Sequence, residues 1–374
     1  MPTIALLTLL HLYVGWRIAP LLPGPWASAS FSLLLLASLL LIPAAFLGRR
    51  ASSRLSADRW TWVGMTAMGT FSLLLVLTLV RELLLLLALP FTLPLLAAHS
   101  AAAVPLVALS ATALGWYGAR RTARVRDVEV PIHGLAPGLV GFTIVQISDV
   151  HVGPTVKRGY VQRIADVVNR LDADAVAITG DLVDGRVRDL RDDVAPLTHL
   201  RSRHGTFFVT GNHEYYSGVG EWTAWLREQG LRVLENEHAV LHHDGAQLVI
   251  AGVSDFSAPR VVRGHRSDPE AALRGAPPGA GLRLLLAHQP RSAPAAADAG
   301  FDVQLSGHTH GGQFWPWNHF VRLQQPYTAG LHRLRQLWVY TSRGTGYWGP
   351  PLRLGAPSEI TRLRFVAAGA TARR

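Results

Sequence analysis

The sequence predicts a layered α/β sandwich preceded by a bundle of about four transmembrane helices. Short runs rich in Val, Ile, Leu, Phe and Thr alternate with segments of helical spacing between residues 140 and 310, which is typical of layered α/β domains. The first 120 residues contain long stretches almost free of charge. Cysteine is absent, which excludes disulfides, thiolate zinc sites and cysteine nucleophiles.

Four apolar stretches precede residue 120, and three of them approach or reach the length that crosses a bilayer, about 20 residues. They are residues 4–16, 31–47, 61–80 and 101–116. The first is short and carries His11. A soluble helical bundle is disfavoured, because Asp58 and Glu82 are the two acidic residues of the whole segment and leave too little polar surface.

Arginines flank these stretches and predict the topology. Arg49, Arg50, Arg54 and Arg59 lie between the second and third stretches, and Arg120, Arg121, Arg124 and Arg126 follow the fourth. The positive-inside rule places both clusters in the cytoplasm, and two intervening spans agree with this. The chain is therefore expected in the cytoplasmic (inner) membrane, among membrane lipids, with its globular part in the cytoplasm.

An apolar run at residues 83–96 contains Pro90 and Pro94. A fifth span there would place the two arginine clusters on opposite sides of the membrane. We therefore interpret the run as the end of the third span, or as an interfacial or re-entrant piece, with Arg81 and Glu82 near the outer surface.

Composition divides the chain into a transmembrane region at residues 1–120, a basic linker and first strand at 121–140, and a globular domain at 141–374. The residues up to Arg126 carry +8 of the net charge of +11, so the basic balance is largely a membrane-flank signal. The globular part shows no stripe of basic and aromatic residues, and no nucleic-acid partner is expected.

One helix and one loop are predicted in detail. The helical face lies between the first two polar motifs, and a segment rich in Ala, Pro and Gly at residues 271–281 is predicted to be a surface loop. The residues of the predicted helical face are Val156, Tyr160, Ile164, Val167, Val168 and Leu171.

Polar motifs follow five predicted strands. The strands are residues 143–147, 175–179, 206–210, 282–286 and 303–305. The motifs are Asp149-Val150-His151, Gly180-Asp181, Gly211-Asn212-His213-Glu214, His288 and Gly307-His308-Thr309-His310. Active sites of open α/β sheets collect at the carboxyl ends of strands, so these side chains are expected around one cleft.

The residue types in these motifs indicate a dinuclear metal site. Two divalent cations about 3.5 to 4 Å apart need a bridging ligand, which an Asp carboxylate can supply. Asp181 is the natural bridge. Asp149 with His151, and His308 with His310, are i,i+2 pairs that point the same way in an extended segment.

The motif strings ISDVHVG, ITGDLVDG, VTGNHEYY, LAHQP and LSGHTHGGQ resemble those of the calcineurin-like metallophosphoesterases. The likeness covers about residues 140–310 and is greatest to the membrane-associated branch of that superfamily. It implies an αββα metallophosphoesterase sandwich, two divalent ions and hydrolysis of a phosphoester or pyrophosphate bond. It does not explain residues 1–120.

The resemblance also implies a role for each motif residue. Asp149, His151 and His310 would complete one metal site, and Asn212, His288 and His308 the other. His213 would protonate the leaving oxygen and would not be a ligand. Asp, Asn and His suit Mn, Fe, Zn and Co alike, so metal identity stays open.

The resemblance suggests a phosphorylated, lipid-linked substrate, with UDP-2,3-diacylglucosamine of lipid A synthesis as the specific candidate. The alternatives are a membrane-anchored phosphodiesterase for soluble nucleotides and a non-catalytic metal-binding membrane scaffold. The intact ligand set with His213 argues against the scaffold. The oligomeric state is not predicted.

Several other residues have two interpretations each. Asp184 either orients a ligand or makes an ordinary turn, and Tyr215 and Tyr216 either border a pocket or pack. Four histidines outside the motifs are expected to be solvated: His199, His204, His242 and His243. Four arginines either bind phosphate or are simply solvated: Arg260, Arg263, Arg266 and Arg322. The aromatic residues that reach lipid headgroups or pack over the sandwich edge are Phe314, Trp315, Trp317, Phe320 and Tyr327.

Overall fold

The computed structural model describes residues 2–47, 53–89 and 96–369. Two compact units are present: Met1–Arg120 with Gly349–Leu354, and Arg121–Trp348 with Gly355–Arg374. Arg49, Arg50, Pro90 and Pro94 lie outside the described residues, so the interpretation of these four positions stays a prediction.

The described residues of the first unit form four helices that are long and apolar enough to cross a membrane. They are α1 (Pro2–Ile18), α2 (Gly24–Leu47), α3 (Arg54–Leu87) and α4 (Leu96–Arg120). The prediction of about four spans is confirmed. Helix α3 has 34 residues and continues through residues 83–87, so this part of the apolar run is the end of the third span.

Polar contacts at one end of the bundle show that the helices alternate in direction. Arg17, near the end of α1, pairs with Glu82, near the end of α3. Arg81 Nη2 donates to the carbonyl oxygen of Ala97, at the start of α4, at 2.9 Å. Helices α1 and α3 therefore end where α4 begins.

The opposite end and the interior of the bundle are also connected by side chains. The Arg120 guanidinium, at the end of α4, lies 5.1 Å over the ring of Trp62, near the start of α3. His11 is buried, with Nε2 3.2 Å from Ser38 Oγ and its ring stacked on Phe71. The one histidine of α1 is thus satisfied inside the bundle.

The second unit contains two six-stranded mixed sheets. The first has the spatial order β1 (Arg124–Ile132), β12 (Glu359–Ala367), β2 (Thr143–Ile147), β3 (Ala175–Thr179), β4 (Thr206–Val209) and β5 (Arg232–Val233). The second has the order β10 (Gly330–Leu334), β11 (Leu337–Thr341), β9 (Val303–Ser306), β8 (Leu282–Leu286), β7 (Ala246–Gly252) and β6 (Glu237–His243). Strands β2, β3 and β4 are parallel neighbours, as are β7, β8 and β9.

The two sheets pack face to face. One core cluster contains Ile144 and Phe207 of the first sheet together with Leu284 and Leu305 of the second. Every residue of β3 is buried, as expected for a parallel strand covered on both faces.

Helices cover the outer faces of the sheets. Helix α5 (Arg158–Asn169) buries Tyr160, Ile164 and Val168 as its spacing predicts, whereas α10 (Ala293–Ala299) packs on Leu285. The remaining helices are α6 (Val187–Val194), α7 (Asn212–Ser217), α8 (Val219–Glu228), α9 (Pro269–Ala272) and α11 (Trp317–Phe320). The predicted layered αββα sandwich is confirmed.

Two expectations are wrong in detail. Helix α9 occupies the start of the predicted 271–281 loop, because the Asp268 side chain accepts from the Ala271 backbone N–H at 3.0 Å and caps the helix.

Two of the four histidines expected to be solvated are not. His243 is buried and His204 half-buried. These two histidines pair with each other, His204 Nε2 lying 3.0 Å from His243 Nδ1. His199 and His242 are exposed, as expected.

Candidate metal centre

The eight predicted site residues all lie just beyond the carboxyl ends of central strands. Asp149 and His151 follow β2, Asp181 follows β3, Asn212 and His213 follow β4, His288 follows β8, and His308 and His310 follow β9. Both sheets therefore contribute to one site.

Two Asp/His triads form within this site. Asp149, His151 and His310 offer ligand atoms that all lie within 4.8 Å of one another. Asp181, His288 and His308 do the same. These triads are consistent with a dinuclear metal site.

Asp181 lies where the two triads meet. Its Oδ2 is 3.2 Å from His288 Nε2 and 3.8 Å from His151 Nε2. One carboxylate oxygen thus faces a histidine of each triad, which is the position that a bridging ligand requires. The other oxygen, Oδ1, accepts a hydrogen bond from the His213 backbone N–H at 2.8 Å.

Two further observations fit a bound cation. Asn212 is nearly buried, and its Oδ1 has no hydrogen-bond partner among the described residues, an arrangement that costs about 1–3 kcal/mol unless a ligand or ion binds there. His288 Nδ1 lies 2.8 Å from the Thr179 carbonyl oxygen. A proton on Nδ1 donates to this oxygen and leaves Nε2 available to a metal.

Asp184 holds two site histidines at once. Its Oδ1 lies 2.6 Å from His213 Nδ1 and 3.0 Å from His151 Nδ1. Of the two interpretations of Asp184, the structure therefore supports the orienting role. The His213 ring keeps Nε2 on the site side, 4.0 Å from Asp181 Oδ2.

The protein groups set opposite protonation states for two of these histidines. Burial lowers the pKa of His213, but Asp181 and Asp184 outweigh it and raise the pKa to about 9. These two carboxylates thus favour the protonated form of His213. Burial and the nearby His288 lower the pKa of His308 to about 3, which leaves this ring neutral and able to bind a cation.

Glu214 is a site residue for which no role is predicted from the sequence. Its Oε2 accepts from the backbone N–H groups of Asp181 and Gly211 at 2.9 and 2.6 Å, and its Oε1 accepts from Leu182 at 2.7 Å. Burial and Asp181 raise the pKa of this carboxyl to about 7. Its position three residues after Gly211 is a capping-box spacing, which was the available signal.

The backbone at the site is left-handed, not extended. The five residues concerned are Asp149 (φ 54°), His151 (φ 53°), Asp181 (φ 50°), His308 (φ 70°) and His310 (φ 51°). The expectation of extended i,i+2 pairs is therefore wrong, although each pair still contributes to the site. Gly180 (φ 84°) lies where an added Cβ would be 2.8 Å from His288 Nδ1, so a larger residue there would displace the ring.

The site opens into a cleft of about 480 Å³. Its further lining residues are Tyr216, Phe256, Ser257, Pro259, Arg260, Gln289, Arg291, Gln324, Gln325 and Trp348. Tyr216 borders the cleft, whereas Tyr215 is buried and packs. Arg260 lines the cleft, but Arg266 pairs with Asp268 at 2.6 Å. The sequence did not single out Arg291, which follows His288 by three residues.

The aromatic segment after the last motif is mixed. Phe314 is buried, and the ring of Tyr327 stacks on His332 with centroids 5.0 Å apart. Trp317 and Phe320 are exposed. Phe314 and Tyr327 thus pack within the globular unit, whereas Trp317 and Phe320 remain at its surface.

Comparison with known proteins places the chain in a family. The model of the calcineurin-like phosphoesterases matches residues 142–312. An uncharacterized metallophosphoesterase of Aquifex aeolicus is 34% identical over 230 residues, which cover 60% of this chain and 85% of that protein. The chain belongs to the calcineurin-like phosphoesterase family.

Within the family, the chain is similar to proteins whose names describe them as transmembrane. A "Transmembrane protein with metallophosphoesterase domain" of Bos taurus is 43% identical over 266 residues, covering 68% of this chain and 60% of that protein. The chain thus spans about three fifths of this relative's length. A structure of Haemophilus influenzae NAD nucleotidase aligns at 16% identity and a TM-score of 0.41, over 55% of this chain and 46% of that one; this distant likeness gives no information about substrate.

Proposed function

We propose that this chain hydrolyses a phosphoester or pyrophosphate bond of a lipid-linked substrate at the membrane, using two divalent ions. The observation that carries the proposal is the meeting of two Asp/His triads at Asp181, beside His213, whose Nδ1 contacts Asp184. UDP-2,3-diacylglucosamine is the specific candidate. It is supported by the resemblance of the motifs to the membrane-associated branch and by four helices that can span a bilayer.

The seven ligand candidates divide as the triads do. Asp149, His151 and His310 would hold one ion, Asn212, His288 and His308 the other, and Asp181 both. When bound, two such ions lower the pKa of water and polarise phosphoryl oxygens. The donor set suits Mn, Fe, Zn and Co alike.

The surrounding residues complete the chemistry. Asp184 fixes Nδ1 of His213, so the proton on Nε2 is positioned to pass to the leaving oxygen. Arg260 and Arg291 also line the cleft, where guanidinium groups would pair with phosphate oxygens of the bound substrate.

The membrane location is proposed from charge. Arg54 and Arg59 at the start of α3, and Arg120 at the end of α4, belong to one end of the helical bundle. Arginine-rich flanks favour the cytoplasmic side. We therefore place the globular unit in the cytoplasm, beneath the cytoplasmic membrane.

Elemental analysis and turnover of the full-length protein in detergent test the proposal. We expect two divalent ions per chain and hydrolysis of UDP-2,3-diacylglucosamine in mixed micelles. Asp181→Asn should lose most of the bound metal and most of the turnover, because the bridging carboxylate carries one charge shared by two cations. Asp302→Asn is the matched control, since this carboxylate accepts from the Arg283 backbone N–H at 2.8 Å outside the site.

Three results would contradict the proposal in different ways. Full occupancy and activity in Asp181→Asn would refute the site. Preference for soluble nucleotide diesters over every lipid-linked phosphate would establish the anchored-phosphodiesterase alternative. Two bound ions without turnover of any phosphoester would favour the metal-binding scaffold.

A further inference from the structure

Large apolar side chains that remain exposed on the globular unit are concentrated beside the cleft. Phe256 lines the cleft and is 44% exposed, and Val261 directly follows another lining residue, Arg260. Away from the cleft, the exposed large apolar residues of the described part of this unit are two isolated valines, Val125 and Val140.

A second segment borders the cleft with three more apolar side chains. Trp317 and Phe320 of α11 and Leu323 in the following turn are 46%, 52% and 85% exposed. Their spacing of three residues places them on one side of a helical segment. Gln324 and Gln325, directly after them, line the cleft. Contiguous apolar exposure of this kind marks an interaction surface.

The charge of the two segments is entirely positive. Residues 256–266 contain Arg260, Arg263 and Arg266, residues 313–327 contain Arg322, and neither range contains Asp or Glu. Arg260, Arg263 and Arg322 are exposed. Exposed apolar tips among arginines fit an anionic phospholipid surface, where the apolar groups enter the headgroup boundary and guanidinium groups meet phosphates.

We propose that Phe256, Val261, Trp317, Phe320 and Leu323, here called the apolar border, dock on the surface of an anionic phospholipid bilayer. The four candidate spans tether the chain to a bilayer, so docking is intramolecular and needs little intrinsic affinity. A lipid-linked phosphate then reaches the cleft while its acyl chains remain among the lipids. The inference deepens the proposed function. Only its last step, the delivery of a lipid-linked phosphate to the cleft, rests on that function.

Membrane contact can be measured without any hydrolysis. The chain has no Cys, so Leu323→Cys carries a single fluorophore on full-length protein in phosphatidylcholine and phosphatidylglycerol vesicles. Val140→Cys is the matched control, an exposed apolar residue away from the cleft. Brominated acyl chains should quench the label at position 323 about threefold or more strongly than at 140, because only an inserted side chain meets them.

Equal, weak quenching at the two positions would overturn the proposal. Quenching at 323 that falls when phosphatidylglycerol is replaced by phosphatidylcholine supports the anionic surface, and unchanged quenching refutes that part. Trp fluorescence and metal content of both labelled proteins establish that each is folded.

A second measurement tests substrate delivery. Phe320→Ser together with Leu323→Ser should reduce turnover of a long-chain lipid-linked phosphate in vesicles and spare a short water-soluble phosphodiester. Val140→Ser should change neither. Equal loss on both substrates would refute delivery from the bilayer. Lipid quenching at 323 in a protein that hydrolyses no phosphoester would refute the proposed function and leave the docking surface standing.

Discussion

Two protein oxygens decide how three of the site histidines are oriented. The Thr179 carbonyl oxygen faces His288 Nδ1, and Asp184 Oδ1 faces Nδ1 of both His151 and His213. In each case Nε2 is the nitrogen left for the chemistry. The same local device therefore prepares two rings to bind metal and one to carry a proton.

The position of His213 leads to a prediction that separates proton donor from ligand. His213→Gln should retain two ions per chain and slow hydrolysis by about 10²- to 10⁴-fold, because a positioned general acid is lost. Nitrophenyl esters, whose leaving groups need no proton, should be affected much less. Rates with leaving groups of graded pKa, together with elemental analysis, measure this.

Two results would contradict this role for His213. Equal slowing across all leaving groups would remove the acid role. Loss of an ion from the variant would make His213 a ligand, despite the 2.6 Å contact of its Nδ1 with Asp184.

The residues that could be predicted from sequence are those at strand ends. Asp149, Asp181 and His308 each follow a short apolar run, and the structure places them together. Sequence alone does not decide between the two interpretations of Asp184, and for Glu214 it offers only the capping-box spacing, because their other partners lie about 30 residues away along the chain. Such contacts depend on the packing of β3 against β4, which local spacing does not encode.

A histidine pair between the ends of β4 and β6 links the stability of the globular unit to pH. His204, just before β4, contacts His243 at the end of β6, and the Phe142 ring lies against both. Burial, His243 and Arg203 lower the pKa of His204, and Asp174 opposes them. The folded state therefore binds a proton at His204 less readily than the unfolded state does.

The sign of this effect gives a prediction. A lowered folded-state pKa makes stability fall as pH decreases through the unfolded value near 6.5. His204→Gln removes the titrating group, so its apparent melting temperature should fall less than that of the wild type between about pH 7.5 and about pH 5.5. Thermal unfolding of the full-length protein in detergent measures it.

His133→Gln is the control for the pH experiment, because this histidine is exposed on the same unit. It should follow the wild type at both pH values. Parallel melting curves for wild type and His204→Gln would contradict the predicted effect of His204.

Strand positions were predictable because buried parallel strands are continuous apolar runs. Strands β2, β3 and β8 have the predicted bounds. The turns after them were not predictable, since a positive φ at Asp149 or His310 depends on what the side chain meets in the folded site. The i,i+2 pattern correctly predicts that both members of each pair reach the site, but the extended backbone assumed for them is wrong.

The helical unit has tryptophan residues at both of its ends, as is typical of membrane proteins. Arg120 lies over the rings of Trp62 and Trp116 at one end, and Trp16 and Trp26 are exposed at the other. Tryptophans in two belts are typical of the two membrane interfaces. The connection between α1 and α2 then lies on the side opposite Arg54, Arg59 and Arg120.

This arrangement predicts the orientation of the chain. A reporter fused after Arg374 and a tag inserted near Ser53 should both behave as cytoplasmic, whereas Pro23→Cys should react with an impermeant maleimide from outside intact cells. Positive flanks resist translocation, which is the reason for the expected sides. Protease access to the globular unit from outside would overturn the orientation and the cytoplasmic substrate pool.

The apolar border shows what composition alone misses. Aromatic residue types point to Trp317 and Phe320 but not to Leu323, the most exposed of the three. They also point to Phe314, which the fold buries. Exposure depends on the folded sandwich. Residue type alone therefore shows neither that Leu323 is exposed nor that Phe314 is buried.

The left-handed backbone at Asp149, His151, Asp181, His308 and His310 has a consequence for how such a site persists. Each of these conformations costs about 1–3 kcal/mol for a residue with a side chain. Glycine at the same positions would relieve this strain, so selection for thermal stability alone would erode the motif over generations. A lineage that lost its substrate would be expected to drift toward glycine and asparagine at these five positions first, while the apolar strands beneath them stayed intact.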